Sequence, residues 1–126
     1  MNSEQQVIRG QVPSKSNSYK IISLRGSGGT VHSSLAKTEA LNKYEQSFYL
    51  QCDKYRNKRI KGLFELNLKV FYPTQRPDLD NALKIILDCL QGCKAIVNDR
   101  QCVKITAEKF IDKNNARIEF SIIEIK

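Results

Sequence analysis

The stretch at residues 63–92, "LFELNLKVFYPTQRPDLDNALKIILDCLQG", changes its hydrophobic period half-way, and that change decides the fold. From Leu63 to Tyr72 apolar and polar residues alternate. Phe64, Leu66, Leu68, Val70 and Tyr72 fall on one face and Glu65, Asn67 and Lys69 on the other, which is the period of a half-buried strand. Pro73 and Pro77 end that strand and bracket a loop carrying Arg76. Leu83, Ile86, Leu87 and Leu90 then return at helical spacing. Asp80 is expected to N-cap this helix, its carboxylate accepting from amides of the first turn, and Gly92 to stop it.

Upstream, Leu41, Tyr44, Phe48, Cys52 and Tyr55 recur every three or four residues, predicting a core-facing helix over about 34–55. Val7 to Val12 reads as a short strand. Pro13 opens a polar segment through position 33, with "RGSGG" inside it, and this reads as a flexible loop with His32 exposed at its end. It lacks the Gly-Lys-Ser/Thr of a phosphate-binding loop. Downstream, 102–111 and 116–125 read as strands joined by the turn residues "DKNN". Val103, Ile105 and Ala107 alternate in the first, and Ile118, Phe120 and Ile122 in the second. The order strand, helix, strand, helix, strand, strand predicts an α/β (α+β) domain with a small mixed sheet and two main helices. It has no internal repeat and forms one domain over residues 1–126.

The chain carries 21 Lys and Arg against 13 Asp and Glu, a formal net charge of +8. Such an excess suits a polyanionic partner, nucleic acid first, with solubility as the bland alternative. Five of the eight residues from Lys54 to Lys61 are basic: Lys54, Arg56, Lys58, Arg59 and Lys61. They read either as a solvated helix end whose cations suit the C-terminal dipole or as a DNA contact. No apolar run reaches the roughly 18 residues of a membrane span, and the N-terminus has no signal-peptide core, so a cytoplasmic, nucleoid-associated location is expected. Cys52, Cys89, Cys93 and Cys102 form no CxxC pair and read as reduced core residues. A zinc set of Cys89, Cys93 and Cys102 with His32 matches the spacing of structural sites poorly.

Against this basic background, Asp78 and Asp80 stand out. On an extended approach, residues two apart point the same way, and Lys84 follows Asp80 by one helical turn. Two carboxylates about 4 Å apart repel by about 4 kcal/mol at an effective dielectric near 20, so they call for a cation or a shared proton. An all-oxygen pair matches the ligand preference of Mg²⁺. Asp99, in "VNDRQ", would complete a set of three if the chain returned it to the same end of the sheet. Spacing alone leaves the other reading open: a capping aspartate, a loop aspartate and a surface lysine.

"RPDLDNALKIILDCL" followed by "AIVNDRQCVKITAEKF" resembles the RusA family of Holliday junction resolvases, known from bacteria and their prophages. The family's early Pro-Ser…Asn-x-Tyr segment has its counterpart in "PSKSNSY", Pro13 to Tyr19, with one extra residue between Ser14 and Asn17. The resemblance implies a homodimeric endonuclease that binds branched DNA, four-way junctions above all, and nicks two strands of like polarity using Mg²⁺, with Mn²⁺ as a substitute. It assigns Asp78, Asp80 and Asp99 as essential metal-binding carboxylates and Lys84 as the catalytic lysine. Arg76 and the Lys54–Lys61 cations would contact phosphates. Asn98 departs from the family, where an acid often precedes the third aspartate. Rival readings are a non-catalytic DNA-binding module, a homodimeric interaction protein whose charge serves solubility, and a nuclease for flaps or forks.

Overall fold

The computed structural model describes residues 4–14, 17–25 and 31–125, without the side chains of 24, 25 and 31–34. The main sheet has four strands in the order β1-β6-β4-β5: β1 (Gln6–Arg9), β4 (Phe64–Tyr72), β5 (Cys102–Ile111) and β6 (Arg117–Glu124). β6 pairs antiparallel with β1 and β4, whereas β5 runs parallel to β4. Parallel neighbours need a crossover, and α2 (Leu79–Gly92) provides it. α1 (Glu39–Gln51) packs beside it. The mixed α+β class expected from the sequence is the one observed.

Alternation in β4 holds residue by residue: Phe64, Leu66, Leu68, Val70 and Tyr72 are all buried. Opposite them in β6, Ile118, Phe120 and Ile122 are buried as expected, and so is the whole stripe Leu41, Tyr44, Phe48, Cys52 and Tyr55. The Phe48 and Phe120 rings stack with centroids 5.9 Å apart. These aromatics and aliphatics form one core between the helices and one face of the sheet. Each fully buried large side chain contributes about 1.5–3 kcal/mol of transfer free energy. Cys52, Cys89 and Cys93 are free thiols inside that core.

Several expectations change. Three strands precede α1 instead of one, because the polar segment read as a loop contains β2 (Tyr19–Arg25) and β3 (Val31–Lys37), paired antiparallel as a separate hairpin. His32 belongs to β3, and most of "RGSGG" lies outside the described residues. α1 therefore starts at Glu39, where the Thr38 hydroxyl accepts from the Leu41 amide at 3.2 Å. It stops at Gln51; Cys52 and Tyr55 stay buried in the following turns.

α2 begins one residue before Asp80: Asp78 holds the N-cap position, and its side chain makes no capping bond. Its buried face is Ala82, Ile85, Ile86, Cys89 and Leu90, with Leu83 and Leu87 only half-buried. Gly92 is the last helical residue, but the left-handed position belongs to Lys94, at φ 63°. The Lys94 amide donates to Gln91 O and the Ala95 amide to Leu90 O, at 3.1 and 2.9 Å. This is the Schellman pattern, which satisfies the last carbonyls without a glycine at that position.

Candidate active site

The two ends of α2 divide the predicted site residues. At its N-terminal end, Arg76, Asp78, Asp80 and Lys84 line one open cleft of about 980 Å³. Asp78 and Asp80 are exposed there, and with no cap bond the Asp78 oxygens are left for other partners. Both carboxylates face buried Tyr72. Burial, reinforced by their negative charge, pushes that phenol up to about 12. Lys84 is exposed on the same rim and pairs one turn onward with Asp88, at 3.7 Å, among the described residues. The pair of acids and the lysine thus share a cleft, as the spacing suggested.

Asp99 does not join them within one chain. β4 and β5 are parallel, with Phe64 beside Cys102 and Tyr72 beside Ile111. Asp99 precedes β5 and so sits at the start of β4, whereas Asp78 and Asp80 follow its end. Nine strand residues separate these two ends by about 25–30 Å. Its short 3-10 turn, Asp99–Gln101, is held to the C-terminal end of α2 by a 3.0 Å bond from the Asp99 amide to Gln91 Oε1. Asn98 caps that turn, its side chain accepting from the Arg100 amide at 3.0 Å. The expectation that the chain itself returns Asp99 to the acidic pair is therefore corrected: a parallel crossover delivers it to the opposite end.

The basic run divides as well. Lys58, Arg59 and Lys61 are exposed on a loop stitched to the segment after α2: Asn57 N to Cys93 O, Arg59 N to Lys94 O and Val97 N to Ile60 O, at 2.9–3.1 Å. They lie at the Asp99 end. Arg56, by contrast, donates to Tyr49 O at 2.6 Å and stacks over the Tyr49 ring, closing the C-terminus of α1. Lys54 Nζ donates to Gln5 O at 3.1 Å. The helix-end reading describes the contacts of Arg56 alone; Lys54 reaches across to the segment before β1 instead.

Sequence reading missed other cleft residues. Ser14, Tyr19 and Leu35 line it, and Asn81 donates to Pro13 O at 3.1 Å, tying the first turn of α2 to the early "PS…NSY" segment. That segment was the available signal. Lys109 of β5 donates to Gln75 O and Pro77 O at 3.1 and 2.9 Å, clamping the loop just before Asp78. No local pattern announces Lys109, because its reach depends on β5 lying beside β4.

Among the described residues no cluster of three His, Cys, Asp or Glu side chains could hold a metal. Asp78 and Asp80, exposed at a solvent-open rim and without an ion pair among the described residues, nevertheless fit a hard divalent cation that keeps several waters.

A small α+β domain with a net charge of +8 that turns two carboxylates and two cations into one open cleft is built as a protein acting on a polyanion. The family model for endodeoxyribonuclease RusA matches residues 13–123, nearly the whole chain, and the chain belongs to that family. It is accordingly a Holliday junction endodeoxyribonuclease, a phosphodiester hydrolase acting on branched DNA. No curated protein sequence matches the chain. Among the described residues no helix is long and apolar enough to cross a membrane.

Proposed function

We propose that the protein resolves four-way DNA junctions by Mg²⁺-dependent, symmetric nicking, as a homodimer in which each site combines Asp78 and Asp80 of one chain with Asp99 of the other. The observation that carries this reading is the cleft in which Asp78, Asp80, Lys84 and Arg76 converge, within the span matched to the family. Support for two chains comes from distance. A pair of carboxylates and a third one a strand-length away cannot act together in one chain, yet a second copy can supply the missing acid.

In this site Asp78 and Asp80 hold the cation, with Mn²⁺ as a substitute; when bound, it polarises the scissile phosphate and lowers the pKa of a bound water. Lys84, free to swing from Asp88, orients that water or stabilises the charge gathering on phosphate. Arg76 fixes the phosphate at the cleft rim. Lys109 keeps the Gln75–Pro77 loop, and with it Asp78, in place. Lys58, Arg59 and Lys61 gather the backbone of a DNA arm, giving affinity that falls steeply with salt and recognises shape more than base sequence. Arg56 and Lys54, held by protein carbonyls, contribute little to that task. Such a nuclease works on DNA in the cytoplasm at the nucleoid.

The test compares cleavage of four-way, forked and linear duplex DNA with and without Mg²⁺. Nicks at symmetric positions on the four-way junction, only with the metal, are expected. Binding without metal-dependent cleavage would instead identify a non-catalytic module, and preferential cutting of the fork a different branched substrate.

A further inference from the structure

We propose that Ile21 and Leu35, exposed on the β2–β3 hairpin, form an apolar wedge that takes the unstacked base beside the scissile phosphate, so that the cleft selects branched over linear DNA. This rests on the nuclease reading above and names what the hairpin wall of that cleft recognises. Ile21 and Leu35 stand directly opposite each other across the hairpin. They are 75% and 71% exposed, and neither belongs to the core. Large aliphatics paired in the open beside a working cleft mark a contact surface.

Strand geometry turns this pair toward the cleft. Side chains two apart share one face of a strand, and directly paired residues share it across strands. Tyr19, Ile21 and Leu35 therefore lie on one face of the hairpin, and Tyr19 and Leu35 line the same cleft as Asp78, Asp80 and Lys84. The hairpin is anchored at its base. The Thr38 amide donates to Ser18 O at 2.9 Å, and Lys37 pairs with Glu45 of α1 at 2.9 Å. The first turn of α2 is tied to the segment before the hairpin by the bond from Asn81 to Pro13 O. The cleft thus carries charge on its α2 side and an apolar pair on its hairpin side.

A nucleotide has both halves of that pattern. Arg76, Lys84 and a cation held by Asp78 and Asp80 suit its phosphate, whereas Ile21 and Leu35 offer no hydrogen bond and suit the face of a base. Leu and Ile side chains serve in this way where proteins wedge open a base step. Unstacking costs least where pairing is already interrupted. The branch point of a junction is such a place, whereas a linear duplex has to be broken open first. The continuity of the apolar pair with the phosphate-binding residues in one cleft favours a base over a second protein chain as its occupant.

The test places 2-aminopurine, a base whose fluorescence is quenched by stacking, in turn at each nucleotide flanking the branch point of a four-way junction, and adds the full chain in EDTA. Emission at one position should rise severalfold with wild type and stay flat in a linear duplex. Ile21→Thr combined with Leu35→Thr, which keeps strand-favouring residues, should abolish the rise, weaken junction binding about tenfold and leave linear-duplex binding unchanged. Ile21→Leu combined with Leu35→Met should recover the rise. Bound wild type with no rise at any position would overturn the wedge whatever the variants do, and so would a threonine variant that brightens the base like wild type. No rise with wild type, together with loss of a dimer in the threonine variant, would give the face to a second copy of the chain and overturn the wedge as well. Mg²⁺-dependent nicking is scored separately. Wild type that brightens the base yet never nicks keeps the wedge and removes the nuclease reading. Nicking without brightening does the reverse.

Discussion

The two ends of α2 are built to opposite standards. At the C-terminal end, every feature closes on itself: the Schellman bonds through Lys94, the backbone ladder between 57–60 and 93–97, and the Gln91 side chain gripping the Asp99 amide. At the N-terminal end the Asp78 carboxylate caps nothing, Asp80 is exposed, and both open onto a cleft with Arg76 and Lys84. Side chains at a helix start normally satisfy its orphan amides. Leaving a capping-type residue without its cap bond forgoes stability, and here it leaves the Asp78 oxygens open to the cleft. The sealed end contributes rigidity, an array of exposed cations and the Asp99 turn.

That contrast can be broken most severely at the open end. Asp78→Asn should reduce metal-dependent nicking of a four-way junction by about a thousandfold or more, on the scale of losing a metal or transition-state ligand. Gel-shift binding without metal should stay near wild type. Retained activity would return Asp78 to a helix-terminus role.

The next effect is at the clamp. Lys109→Met removes both bonds to the Gln75–Pro77 loop and should lower kcat about tenfold, with KM for junction DNA nearly unchanged, because small misplacements of a catalytic group are costly. Lys109→Arg should recover most of that loss, as a merely structural lysine need not. Equal losses in both variants would argue against positioning.

Smaller still are the effects at the sealed end. Replacing Lys58, Arg59 and Lys61 together by Ala should flatten the salt dependence of DNA binding by roughly two to three units of slope, about 0.9 for each phosphate no longer neutralised. Arg56→Met should leave that slope alone and cost about 1 kcal/mol of stability, because the bond to the Tyr49 carbonyl and the stacking on its ring both go. If the triple variant leaves the slope unchanged, those cations only solvate the loop.

What was legible in the sequence was local. β4, β6 and the α1 stripe carry strong single periods, and burial follows them residue by residue. Asp78, Asp80 and Lys84 lie within seven residues of one another, so spacing alone set them on one side of the helix start, where the cleft lies. The β2–β3 hairpin was illegible because "YKIISLR" alternates on neither face and its pairing is with itself, not with the core. The position of Asp99 was illegible for another reason. It depends on β5 running parallel to β4, a long-range pairing that no window of sequence encodes. Lys109 belongs to the same class, and so does the exposed row on β5, which reads as a half-buried strand until the sheet order leaves it at the edge.

In the proposed dimer each site takes Asp78 and Asp80 from one chain and Asp99 from the other, and mixing inactive variants tests this sharing directly. Asp80→Asn and Asp99→Asn chains, each inactive alone, are unfolded and refolded together, then given a labelled four-way junction and Mg²⁺. Random pairing makes half the dimers mixed, each with one complete site, so about a quarter of wild-type nicking is expected. The nicks should fall on single strands without paired resolution. A mixture as inactive as its components would contradict the shared site.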